Sequence, residues 1–158
     1  LATKDYIKMC KEAKEVQELW IPGLGDICIN KTDGKEVMIV ASRGKITDKG
    51  YKFVYMGIGG REQPDYWHKK GKLIILPTQS QLQGMIYAVC GYHRVNLIHE
   101  FVGMDAFEYG HDGWCEFIND ASMKEIWLAF LMYKEYNKIW DGNNWQIKEA
   151  KNGNKNLR

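Results

Sequence analysis

Between Met123 and Trp140 the residues Met123, Ile126, Trp127, Phe130, Tyr133, Tyr136, Asn137 and Trp140 recur at steps of three and four, with no Gly or Pro among them. That spacing lines one face of a helix. Ala129, Leu131 and Met132 widen the apolar face, so the helix is expected to be covered on more than one side, with Lys124, Glu125, Lys134, Glu135 and Lys138 toward water. Ser122 followed by Glu125 forms a capping box that starts the helix. Gly142 after Asp141 predicts a stop near Trp140, with Trp145 folding back onto the last turn.

The same periodicity opens the chain. Thr3 can cap a helix in which Tyr6, Ile7, Cys10, Ala13, Val16, Leu19 and Trp20 follow at helical spacing, and Pro22-Gly23 bounds it, predicting a helix over about 4–19. Strand-like runs at 26–30 and 36–41 flank Asp33-Gly34, a turn pair suited to a hairpin. A polar loop over 42–50 leads to a third strand at 51–56, and the glycines and Pro64 that follow predict a loop. Leu73–Leu76 is too short to classify except as the lead into a helix. Thr78 and Gln81 form a second capping box for a helix over 79–90. Residues 92–107 fit both helical and alternating patterns, with helix favoured, and 114–118 suggest a short strand.

These elements predict an α+β fold, with a small, mainly antiparallel sheet packed against about three helices in a single domain over 1–146. A polar tail follows over 147–158. At 158 residues, 45% of them apolar, the chain can bury roughly 70% of its unfolded surface and needs neither metal nor disulfide to hold a core. No run of about 18 apolar residues could span a bilayer. With no basic segment leading into an apolar one at the start, a cytoplasmic protein without membrane association is expected. Cys10, Cys28, Cys90 and Cys115 form no C-x-x-C pair and lie among apolar neighbours, as reduced buried thiols do.

The net charge of +2 conceals an asymmetry. Residues 31–72 hold ten Lys or Arg against five acids, and 73–145 hold four against nine, or about +5 and −5. The split could produce a basic sheet face and an acidic helical face, or amount to ordinary solvation; no single window is densely basic.

Catalytic readings fare poorly against structural ones. His93 and His99-Glu100 lack the helical-turn spacing of a zinc-protease site, and Cys115, His111 and Asp112 read as turn and core residues, so no metal is expected. The glycines before Arg61 lack the spacing of a phosphate loop, and no Ser sits in a nucleophile elbow; no cofactor is expected either. An enzyme using His93, His99 and Glu100 is the least favoured reading. Binding has more support. Arg61, Tyr66, Trp67, Lys69 and Lys70 set rings among cations in a Gly- and Pro-bounded loop, a combination that serves protein anchoring or the stacking and neutralisation of single-stranded nucleic acid.

The segment Leu76-Pro77-x-Gln79-x-Gln81-Leu82-Gln83-x-Met85, together with Trp127-Leu128-Ala129-Phe130 and Lys138-x-Trp140-Asp141-Gly142-x-x-Trp145, resembles small uncharacterised phage and prophage proteins of Gram-positive bacteria. The helix from Tyr6 to Leu19 is similar to theirs as well. Many members have Trp before the Leu-Pro, where this chain has Ile75, and residues 43–72 and 91–118 have no counterpart. The resemblance implies a phage-encoded accessory role and carries over no catalytic residues. The expected function is that of a non-enzymatic binding or adaptor protein acting on another protein, with single-stranded nucleic acid as the alternative partner.

Overall fold

In the computed structural model the described residues are 2–47, 50–57, 68–90, 101 and 120–148, of which 41–53, 68–70, 89 and 90 are described by backbone alone. The fold is α+β. Its helices are α1 (Lys4–Glu12), α2 (Lys14–Leu19), α3 (Gln79–Cys90) and α4 (Met123–Tyr136). Strands β1 (Ile27–Asn30), β2 (Glu36–Thr47), β3 (Gly50–Gly57), β4 (His68–Lys69) and β5 (Leu73–Ile75) form one antiparallel sheet in the order β4-β3-β2-β1-β5. A separate hairpin pairs β6 (Lys138–Trp140) with β7 (Trp145–Ile147).

The connection from β4 to β5 fixes the shape of the sheet. These strands lie on opposite edges, which in a flat sheet would stand roughly 19 Å apart. Only a 3-10 turn, Lys70–Lys72, joins them, and the four steps from Lys69 to Leu73 reach about 14 Å at most. The sheet therefore curls until its edges approach each other. Three register shifts between β2 and β3 supply bends for that curl.

Side-chain alternation on β1 and β5 then separates two cores. Cys28, Leu73 and Ile75 join Val37, Ile39 and Trp20 in one buried cluster, with Tyr55 against it. Ile29, Ile74 and Leu76 point the other way, into a larger cluster built from α1, α3 and α4. Leu128 through Met132 are fully buried, which accounts for the broad apolar face of α4. Phe101 stacks on Trp127 at 4.0 Å between centroids, and both meet the Phe130 ring edge-on.

Both capping boxes form. Ser122 and Glu125 exchange their backbone and side-chain bonds, and Thr78 and Gln81 do the same. The hairpin over β1 and β2 turns at Gly34, whose φ of 71° lies in the left-handed region that glycine adopts without strain.

Five expectations are corrected. The first helix is two, broken at Ala13, because Gln17 Nε2 bonds the Cys10 carbonyl at 3.0 Å, taking up an acceptor that a continuous helix would have used. The loop expected over 42–50 is instead strand as far as Thr47, since a long hairpin ladder outweighs the polar composition. Leu73–Ile75 is a strand paired with β1. The final helix stops at Tyr136: Asn137 takes the left-handed conformation at φ 52°, and its side-chain amide donates to the Lys148 carbonyl. Lys138–Trp140 thus becomes strand, Gly142 belongs to the hairpin turn, and Trp145 meets Trp140 at 5.0 Å. Glu125, expected in water, is buried because its carboxylate also accepts from Thr3.

The β7 strand carries regular structure through Ile147, and the Lys148 amide bonds the Asn137 carbonyl. The rest of the expected tail, the strand at 114–118 and the ambiguous segment over 92–107, Phe101 excepted, lie outside the described residues. Cys10 and Cys28 are buried free thiols.

Candidate protein-binding surface

The turn between α2 and β1 exposes apolar side chains on a braced backbone. After α2 the chain becomes extended at Trp20 (φ −62°, ψ 131°), so successive side chains point to opposite sides. Trp20 and Pro22 go inward and are buried, leaving Leu19 52% and Ile21 63% exposed. Gly25, with φ 83°, closes a tight turn that places Leu24 outward at 72% exposure.

Asp26 holds this turn together. One carboxylate oxygen accepts from Trp20 Nε1 at 2.7 Å and from the Gly23 amide at 2.8 Å, while the other accepts from Gln81 Nε2 at 2.7 Å. The Gly25 amide bonds the Ile39 carbonyl, and the Ile39 amide bonds Asp26. Asp26 is itself buried, and a buried carboxylate needs such donors. Its bonds join the turn to β2 and to the first turn of α3.

Beside the turn lies an open depression of about 340 Å³, lined by Gln17, Glu18, Trp20, Lys31, Gly71 and Leu73. Trp20 and Leu73, which reach it from the smaller core cluster, are themselves almost fully buried. The Lys31 amide bonds the Lys72 carbonyl at 3.0 Å, which brings the β1 end and the 3-10 turn together. Gln17 treats β5 as a neighbouring strand would: its side-chain oxygen accepts from the Ile75 amide at 2.9 Å and its nitrogen donates to the Ile75 carbonyl at 3.1 Å. The outward edge of β5 is capped at that residue.

Of the residues singled out from sequence, Lys69 lies in β4 opposite Lys52, and Lys70 opens the 3-10 turn that leads directly to Gly71 in the wall of the depression. Arg61, Tyr66 and Trp67 lie outside the described residues, as do His93, His99 and Glu100. Sequence patterning does not mark the turn from Leu19 to Asp26 as a site. Its signal is an apolar run crossing Pro22-Gly23, where an extended chain can bury only alternate side chains.

The described residues present little reactive chemistry. Burial pushes the Cys10 thiol up to about 12, and burial followed by the nearby Asp26 charge also raises Cys28, so both stay protonated at neutral pH. Among the described residues no group of His, Cys, Asp and Glu is placed to hold a metal ion, and no helix is long and apolar enough to cross a membrane. Comparison with known protein families, with curated proteins and with solved structures finds no match.

Proposed function

We propose that this protein is a non-enzymatic binding or adaptor module whose partner is another protein, engaged through Leu19, Ile21, Leu24 and the adjoining depression. One observation carries the reading. Of the six large apolar side chains exposed among the described residues, three fall between Leu19 and Leu24, on a turn that Asp26 braces from within. Single exposed apolar residues are ordinary, but a cluster on a preorganised turn is what an interface anchor requires. The folded core does not need these three side chains, since Trp20 and Pro22 already fill the inward positions. The phage accessory role implied by the resemblance is included in this proposal.

Single-stranded nucleic acid is the second reading, favoured by Lys52 lying opposite Lys69 and by Lys31 joined through its backbone to Lys72. The two readings separate in a photo-crosslinking experiment. A benzophenone side chain placed at Leu24 in the full chain, expressed in the source cells, is expected to give a discrete protein adduct that survives nuclease, while the same group at exposed Lys11 gives none. An adduct lost on nuclease treatment, or no adduct at Leu24, contradicts the protein-binding reading.

A further inference from the structure

We infer that this protein pairs with a second copy of itself through the outer edge of β7, strand against antiparallel strand, about a two-fold axis at Gln146. The contact does not involve Leu19, Ile21 or Leu24, and the inference stands whether or not the protein-binding reading does.

The hydrogen-bond register of the hairpin opens that edge. The Lys148 amide bonds the Asn137 carbonyl and the Asp141 amide bonds the Asn144 carbonyl, so by alternation Ile139 and Gln146 form the bonded pair between them. The backbone N–H and C=O groups of Trp145 and Ile147 therefore point away from β6, and they have no partner among the described residues. On β5 the corresponding edge is capped at Ile75 by the Gln17 side chain. No such cap covers β7 among the described residues. In place of the charged or proline residues that blunt an open edge, it carries Ile147, 71% exposed.

A second copy satisfies this edge completely. With the axis at Gln146, Trp145 of each chain lies opposite the partner's Ile147, and each of these pairs exchanges both of its N–H···O bonds, so every outward group of both strands is used. Trp145 and Ile147 share one face of β7, which gives each exposed isoleucine an aromatic neighbour across the new ladder. The Trp145 ring is already held for that contact, since its Nε1 donates to the Met9 carbonyl at 3.1 Å. Because β7 spans only Trp145–Ile147, the contact buries far less than the roughly 1,200 Å² of a stable interface. The pairing is accordingly weak, with a Kd of about 0.1–1 mM.

Disulfide trapping of the full chain tests the axis directly. The two copies of residue 146 form a non-bonded pair with Cα atoms about 4.5 Å apart, a separation that a disulfide spans. At about 0.5 mM under mild oxidation, Gln146→Cys is expected to form a covalent dimer at least about tenfold faster than Ile147→Cys, whose thiol faces the partner's Trp145 and not its own copy. The parent, treated alike, gives the background from its own cysteines. In sedimentation velocity the parent is expected to shift toward dimer between about 10 µM and about 1 mM. Ile147→Pro removes an N–H that takes no part in the bonds to β6, so it is expected to keep the thermal transition and remain monomeric. Equal trapping of the two cysteine variants, a parent still monomeric at about 1 mM, or association that persists in Ile147→Pro overturns the inference.

Discussion

The hydroxyl of Thr3 donates to Glu125 Oε1 at 2.5 Å, joining the caps of two helices 122 residues apart. Each residue has a local role as well: Thr3 accepts from the Tyr6 amide to start α1, and Glu125 accepts from the Ser122 amide to start α4. One buried carboxylate thereby sets the positions of both helix starts.

This coupling is measurable. Thr3→Val removes the local cap and the long-range donor together and is expected to destabilise by about 1–2 kcal/mol. Glu125→Ala is expected to cost about 2–3 kcal/mol through loss of a charged, buried acceptor. A double-mutant cycle by chemical denaturation is expected to give a coupling of about 1 kcal/mol or more. Additive losses would mean that the two caps act independently.

Gln17 makes a second long-range connection. Gln17→Ala leaves the Ile75 amide and carbonyl and the Cys10 carbonyl without their partner, with an expected loss of about 2–3 kcal/mol. It also uncaps a strand edge, so the variant is expected to self-associate on light scattering at concentrations where the parent does not. A monodisperse variant of unchanged stability would contradict the role assigned to the amide.

How much of this was legible in the sequence depends on where each residue's partner lies. Ser122 and Glu125, like Thr78 and Gln81, find each other within one helical turn, and the periodicity of α4 and the turn at Asp33-Gly34 are equally local. The break at Ala13 is set by Gln17, which reaches Ile75 58 residues away. Helical spacing also carried Trp140 into α4 on paper, although its partner is Trp145 across a hairpin turn. For the candidate site the difficulty is one of sign. Leu19 reads as part of the first helix's apolar spacing, Ile21 and Leu24 carry no periodic signal of their own, and only the buried alternates Trp20 and Pro22 show that all three face out.

Burial of ionisable groups predicts alkaline lability. Tyr6, Cys10 and Cys28 all have their folded values raised, chiefly by burial. Their stabilising contribution is complete below the unfolded values of about 9 for the thiols and about 10 for the phenol. Above those values the unfolded chain releases protons that the folded chain keeps, so stability declines with rising pH, for Cys10 until about 12. Each thiol contributes a slope of about 1.4 kcal/mol per pH unit in that window. Denaturation midpoints are expected to fall steadily from pH 9 upward, less steeply in Cys10→Ala. A flat profile from pH 8 to 11 would contradict the buried placement of the thiols.

Asp26 relates folding to the proposed contact. Asp26→Ala is expected to cost about 2–3 kcal/mol, since three neutral donors lose their acceptor. It is also expected to loosen the turn that carries Ile21 and Leu24. Amide hydrogen exchange at Gly23 should accelerate more than exchange within α4; equal acceleration at both would indicate general destabilisation instead.

The proposed protein contact requires Leu19, Ile21 and Leu24 to be exposed and dispensable for folding. The direct measurement is the double variant Ile21→Ser/Leu24→Ser, compared with the parent for unfolding free energy and for the yield of the nuclease-resistant adduct formed by a benzophenone at Leu19. The account predicts a stability change within about 0.5 kcal/mol, as for exposed positions, together with loss of the adduct. A variant that keeps the full adduct yield, or loses more than about 1 kcal/mol of stability, would contradict it.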